Sequence, residues 1–514
     1  MGIKTVIVIG THPLTADAKR QYADLGYEVS CKDSLVGIGA EDIPDEVFVA
    51  TECSDAFIED TKNIDAIKNE FSKNVTEHVR IHLLLHSQDT FALIQKRDIC
   101  EGMSENVDLY PFTFESLWGQ KLFCGLDTAA PSYPPVDRTP IDQDSDRTVH
   151  LVIFGFNPMA ESIARHAALS CHYPNFTRDH ALKTRITIVD DDVEEKRDVF
   201  ISKNSALFEN SFYRFVDLDK TGETAVTHLH RPAWDGKWED FVDVEWEFVK
   251  GNISKPVMRN KLSLWSTAAN KNLSVILCQE NPGENISSLL QMPKEIEENG
   301  ITTFIRLSDS HMTGFLTGRP DIYPFGMKET CHDVRLPLLT AAKMINYVYN
   351  CCYEDNYEKP NDSTEVFYPL SIDWTKAESL WRKLGNAKKW SNIYNAMTLQ
   401  TKMRALGHSD SDWEAFFSMS AKEISVIAET EHNRWNVEEL LLGFRPADEK
   451  QRKEIEQDIS LKRKYKEAFI HYDLRAYKDL RADDTGRNVN TYDICLSSAV
   501  PLIAEAFRKE VQNG

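Results

Sequence analysis

Positive charge is scarce in this 514-residue chain: 59 Lys and Arg stand against 81 Asp and Glu, a formal balance of -22. That balance repels a nucleic-acid backbone and excludes a general nucleic-acid binder, while a small anion needs only a local cluster of donors. Long apolar runs are also missing. "VIVIG" and "IHLLLH" are strand-sized, far short of the roughly 20 residues of a membrane helix. The chain enters its first strand almost at once ("KTVIVIG"), without the apolar core of a secretory leader. These features predict a soluble, cytoplasmic protein with no membrane span. The ten cysteines are scattered, Cys351-Cys352 being the sole close pair. No C-x-x-C appears, so neither a zinc knuckle nor a disulfide framework is expected, and no metal site. G-x-x-x-x-G-K-[ST], H-E-x-x-H and G-x-S-x-G are absent, and no nucleophile–base pair can be assembled. No catalytic residue is therefore assigned.

What is present has the composition of a folded soluble protein: 42% hydrophobic and 27% charged. The length suits several domains. Two segments read as openings of Rossmann-type units. The first, "TVIVIGTHPLTADAKRQYADLGYEVSCKD", gives a β-branched strand, a turn after Gly10, a helix, and a second strand ending near Asp33. The second, "VHLVIFGFNPMAESIARHAAL", repeats the pattern around Gly155 and is followed by "TRITIVDDD", a strand ending in Asp190, Asp191 and Asp192. "VRIHLLLHS", "LSVILCQE" and "ITTFIRL" supply further buried parallel strands, with one helix expected in "ENISSLLQMPKEIEENG". Residues 126–147, rich in Pro and Asp, read as an exposed linker. From about residue 371 the pattern turns helical, and "YEDNYEKPNDSTE" marks the boundary. The expected fold class is α/β: Rossmann-like parallel-sheet domains at 1–125 and 148–350, then an α-helical domain at 371–514.

A dinucleotide fingerprint uses three glycines for the turn, the approach to pyrophosphate, and helix packing. Here the positions hold Gly10, His12 and Thr15 in the first unit, and Gly155, Asn157 and Ala160 in the second. Only the first glycine of each survives. One reading keeps the fold without the cofactor. The other places NAD or an adenine nucleotide on Gly155, Asn157 and Met159, with Asp190 and Asp191 toward the ribose. The segments "VIFGFNPMAESIARHA" and "ITIVDDD", and more faintly "VILCQENPGENISSLLQM", resemble the nucleotide-binding domain of Trk/Kef-type potassium-transport regulators. That resemblance covers residues 148–310 and implies regulation by NAD(H) or adenine nucleotide, and a homo-oligomer.

The stretch "AETEHNRWNVEELLLGFRP" is helical by the spacing of Ile424, Ile427, Ala428, Trp435 and Leu442, with Gly443 as its stop. Glu431 and His432 interrupt the apolar stripe. Four pieces, "EHNRW", "GF" (Gly443, Phe444), "HYDLRAYKDL" (471–480) and "TYD" (492 and 493 included), resemble in order and spacing a ryanodine-receptor (RyR) repeat domain over residues 420–510. Two positions depart from that family, Phe444 and Asn490. The resemblance implies a fusion of Rossmann-like units to an RyR-like domain that binds an adenine-nucleotide-type signal, in bacteria often in antiviral defence. Residue chemistry suits such a ligand. Trp435 and Tyr477 offer stacking faces; Arg434, Arg445, Arg475 and Arg487 offer phosphate forks; Glu431, His471 and Asp473 offer polar partners. The same residues could equally form a buried network that fixes helix packing.

Other patterns carry less. His332-Asp333 and the pair His228 and His230 read as surface or strand features. His82 and His86 share one face of a strand, and "YPFTFESLWGQKLF" packs the first domain. The leading expectation is a small-ligand sensor whose downstream effector is unknown. Its rivals are an NAD-dependent enzyme at Gly155 and a structural assembly protein.

Overall fold

The computed structural model describes residues 3–38, 43–72, 75–96, 103–124, 133–220, 226–232, 240–316, 318–354, 372–408, 419–481, 488–504 and 507. Arg487 and most of the 353–365 stretch lie outside them.

The β-branched runs become two sheets. The first contains β1 (Thr5–Ile9), β2 (Glu28–Lys32), β3 (Glu46–Val49), β4 (Val79–Leu85) and β5 (Val107–Thr113), in the order β2-β1-β3-β4-β5. All its pairings are parallel. This is the flavodoxin-like doubly wound order. The second sheet contains β6 (Thr148–Phe154), β7 (Thr184–Asp190), β8 (Phe212–Asp217), β9 (Val226–His230), β10 (Val244–Lys250), β11 (Lys271–Leu277), β12 (Thr302–Arg306) and β13 (Ile322–Phe325). Its order is β13-β12-β11-β6-β7-β10-β8-β9. Taking β6, β7, β10, β11, β12 and β13 alone gives the dinucleotide-fold order. The pair β8 and β9 is added outside β10, and its antiparallel pairing is the one exception to a parallel sheet. Both regions are thus parallel-sheet α/β, as the repeated strand-glycine-helix pattern predicts.

Both turn glycines are required. Gly10 and Gly155 adopt φ of +100° and +97°, and a Cβ would sit 2.1 Å from the Ala50 carbonyl or 2.9 Å from that of Cys278. Each glycine lets its turn press against the end of the neighbouring strand.

Two details differ from expectation. The 284–300 segment forms two helices, Pro282–Leu290 and Lys294–Glu298, because Pro293 breaks the run. The Pro- and Asp-rich segment, where described (133–147), has no regular element, yet Val136, Asp137 and Ile141 are buried. Their burial is anchored by Arg404, whose Nε and Nη2 bind the Asp137 carboxylate at 2.8 and 2.7 Å.

Beyond β13 the chain is helical: Pro337–Tyr353, Trp374–Arg382, Asn386–Met397, Leu399–Ala405, Ala421–Leu441, Glu449–Gln457, Leu461–Glu467 and Asn490–Ser498. A two-residue parallel pair, β14 (Arg445–Pro446) with β15 (Ile470–His471), closes a loop beside the longest of these. The helices share a core with both sheets. Trp390 meets Phe91 edge-on at 5.1 Å and stacks on Tyr110 at 5.9 Å. Buried Asp108 on β5 pairs with Lys389 at 3.0 Å. Among the described residues no helix is long and apolar enough to cross a membrane.

Candidate functional site

The Ala421–Leu441 helix organises the site. It starts at a reciprocal capping box: Ser420 Oγ accepts from Glu423 N–H, and the Glu423 carboxylate accepts from Ser420 N–H. It ends at Gly443, whose φ of +91° allows Gly443 N–H to bond Leu440 O and Phe444 N–H to bond Glu439 O, each at 3.0 Å. Between these ends nearly every residue from Ile424 to Leu441 is buried, polar ones included.

The polar residues fall into two groups. In one, the fully buried Glu431 carboxylate takes Lys402 Nζ at 2.7 Å, Asn395 Nδ2 at 2.8 Å and the Arg434 guanidinium at 2.8 Å. Arg434 continues to Glu438 at 2.7 Å, and Glu438 reaches Ser391 at 3.0 Å. Burial alone would raise the Glu431 pKa, but Arg434 and Lys402 outweigh it and hold it near about 2. This group is a packing network, in which one Glu438 oxygen, Oε1, is buried without a hydrogen-bond partner. Glu431 and Arg434 are bound into this network by Lys402, Asn395 and Glu438.

The other group centres on His432 and Trp435. His432 Nε2–H donates to Arg475 O at 3.1 Å, where Asn436 also donates at 3.0 Å. His432 Nδ1 lies 3.4 Å from Asp493, whose carboxyl burial pushes upward. Trp435, only partly buried, meets the His471 ring edge-on at 4.9 Å; His432 lies 5.4 Å from Trp435 and 5.8 Å from Tyr477. His471, Asp473 and Tyr477 therefore join His432 and Trp435.

Several polar atoms of this cluster end without partners. His471 Nδ1 accepts from Asp473 N–H at 3.2 Å, so its proton sits on Nε2, which is buried and unbonded. Burial, then Lys466 and Lys462, hold His471 well below the usual imidazole range, so it stays neutral. Tyr477 Oη, Asp473 Oδ1 and Glu439 Oε2 are likewise buried and unbonded. Burial lifts Glu439 to about 8, making it a neutral acid near pH 7.

The expected arginines contribute little here. Arg475 donates to the Tyr472 and Asp479 carbonyls. Arg445 is exposed and pairs with Glu209 at 3.1 Å. The cations beside the cluster are lysines that sequence reasoning missed. Lys462 binds Asp473 at 2.8 Å, and Lys466 lies 6.0 Å over the Phe444 ring. The signal was present as "LKRKYKE", a basic run in an acidic chain.

At the Gly155 crevice the donors are already used. Asn157 Oδ1 accepts from the N–H groups of Met159 and Ala160 at 3.1 and 3.2 Å, the first free amides of the following helix. Its amide donates to Cys278 O, and Arg306 reaches its oxygen at 3.3 Å. Asp190 accepts from Phe156 N–H at 2.7 Å, Asp192 N–H at 2.9 Å and Lys196 at 2.9 Å. Asp191 takes Asn252 at 2.6 Å. The side chains that would meet pyrophosphate and ribose thus hold the turn itself.

Two histidine patterns resolve differently from expectation. His332 is buried, not superficial: its Nε2 meets His82 Nδ1 at 3.1 Å, and His82 Nε2 meets Glu46 at 2.9 Å. A segment following β13 inserts it against the first sheet, a contact between remote segments that no local pattern encodes. His86 lies just beyond β4, away from this chain. Among the described residues no group of three or more His, Cys, Asp or Glu is placed to hold a metal ion.

No family model matches the chain, and no curated protein does. Among solved structures, NtrX from Brucella abortus aligns over 86% of this chain and 94% of its own, at 9% identity and a TM-score of 0.14, too slight a likeness to carry any argument.

Proposed function

We propose that the protein is a non-catalytic sensor of an adenine-nucleotide-type ligand, held at the Trp435 face of the Ala421–Leu441 helix. The observation that carries this reading is the set of buried, unbonded polar atoms beside a partly exposed indole: His471 Nε2–H, Tyr477 Oη and Asp473 Oδ1. Unmet buried polar groups each cost about 1–3 kcal/mol, and a purine supplies the acceptors, donors and stacking plane that would satisfy them. Lys462 and Lys466 stand where a phosphate could be met. The RyR-like motifs fit the same reading, and the antiviral setting rests on that resemblance alone. The Gly155 unit serves as scaffold in this proposal, since its donors are occupied. A response would travel through the helix, which packs against the Pro158–Ser170 helix of the second unit.

Isothermal titration with ATP, ADP, AMP, NAD and adenosine tests the proposal. Saturable binding to at least one is expected in the wild type, and Trp435→Ala is expected to abolish it with the fold intact. No binding by any of the five, or binding unchanged by Trp435→Ala, overturns it.

A further inference from the structure

The first sheet ends at β2, and every residue of that strand except Val29 is exposed. Its register with β1 runs from Thr5 opposite Glu28 to Ile9 opposite Lys32, and Glu28 N–H bonds Lys4 O at 2.8 Å. A parallel ladder uses alternate residues of each strand. Glu28, Ser30 and Lys32 therefore turn their backbone groups toward β1, and Val29 and Cys31 turn theirs outward. Among the described residues no hydrogen bond reaches those outward groups.

The far edge of the same sheet is closed, since β5 packs on helices through Asp108 to Lys389 and Tyr110 to Trp390. At one edge of the second sheet, β13 carries Pro324, which has no N–H to offer and whose carbonyl accepts from Tyr133 Oη at 2.7 Å. β2 has neither protection. A lone lysine on an edge discourages a second strand, but here Glu28 supplies the counter-charge for Lys32 on the same strand. Neither side chain has an ion-pair partner of its own among the described residues.

The sequence of β2, Glu-Val-Ser-Cys-Lys, is charge-complementary to its own reverse. Two copies paired antiparallel about Ser30 set Glu28 of each opposite Lys32 of the other, and Val29 opposite Cys31. Val29 and Cys31 then form the hydrogen-bonded pairs, so each outward amide meets an outward carbonyl. Glu28 and Lys32 fall at the non-hydrogen-bonded positions, where side chains stand closest. No other register pairs the two charges.

We propose that β2 is an interface between two copies of this chain, joined antiparallel about a two-fold axis at Ser30, so that the two five-stranded sheets become one.

Sedimentation equilibrium of the full chain under reducing conditions is expected to show monomer and dimer in exchange. Lys32→Glu sets like charges opposite each other twice and is expected to weaken the dimer at least about fivefold. Glu28→Lys/Lys32→Glu exchanges the charges and is expected to restore it. Both positions are exposed, and circular dichroism checks that the fold is kept. The register has its own readout. With the exposed thiols Cys31 and Cys53 replaced by serine, adding Ser30→Cys is expected to give a disulfide-linked dimer on mild oxidation, because non-hydrogen-bonded pairs hold their Cα atoms about 4.5 Å apart. The parent without Ser30→Cys is expected to stay unlinked. A chain that remains monomeric up to about 0.1 mM leaves this edge to another partner or to none and overturns the proposal. So does a dimer indifferent to Lys32→Glu, one not restored by the charge exchange, or one that Ser30→Cys fails to link.

Discussion

Tyr477 and Glu431 sit on the same small region but answer to different demands. Tyr477 Oη is buried with nothing to bond, so Tyr477→Phe removes an unmet group rather than an interaction. Its thermal midpoint is expected to stay level or rise, while ligand affinity falls about 5- to 10-fold, the worth of one neutral hydrogen bond. A ligand titration of the folded variant checks both. Glu431 is the opposite case. Glu431→Ala would strand buried Lys402 and Arg434 and is expected to cost about 3–5 kcal/mol in a denaturant titration. Glu439 gives a pH signature. Its pKa is about 8 in the fold against 4.5 for the free side chain. The folded state thus keeps a proton that the unfolded chain releases between those values. Its contribution is fully present below pH 4.5 and is lost as pH rises through 8. Glu439→Gln should flatten that part of the stability profile, measured by thermal unfolding across pH 4.5 to 8.5.

At the scale of elements, the turns and caps carry the specification. Gly10→Ala places a Cβ 2.1 Å from a backbone carbonyl, whereas at Gly443 the nearest atom is the flexible tip of Lys96 at 3.7 Å. Both positions have positive φ. Gly443→Ala is therefore expected to cost only the backbone strain, about 1–2 kcal/mol, while Gly10→Ala fails to give soluble folded protein. Expression and circular dichroism distinguish the two. The long helix itself is polar on more than one face, and its burial comes from neighbours on all sides rather than from a single apolar stripe.

Across the whole molecule, buried ion pairs join the helical region to the first sheet and to the segment that precedes the second. Asp108 on β5 holds Lys389, with Lys343 at 3.9 Å; Asp137 holds Arg404. Burial alone would raise the Asp108 pKa, but Lys389 and Lys343 outweigh it and keep the group charged. Asp108→Asn leaves the buried Lys389 ammonium without its counter-charge, while Lys343 keeps Glu378 at 2.8 Å, a loss of about 3–5 kcal/mol. Hydrogen exchange is expected to rise in Pro337–Tyr353 and Asn386–Met397 before it rises in the strands of the second sheet. Equal acceleration everywhere would show that these pairs do not link the units.

The strands, the two turn glycines and the stop at Gly443 were legible in the sequence, because each is set by local rules: β-branched runs, and backbone angles open to glycine alone. Tertiary structure decided the rest. It alone committed Glu431 and Arg434 to a buried network rather than to the indole, since what a helical side chain meets depends on what packs there, here Asn395 and Lys402. It alone turned Asn157 and Asp190 inward to hold their own turn. It alone brought His332 to His82, 250 residues away. Such pairings depend on how remote segments pack, which local periodicity does not encode.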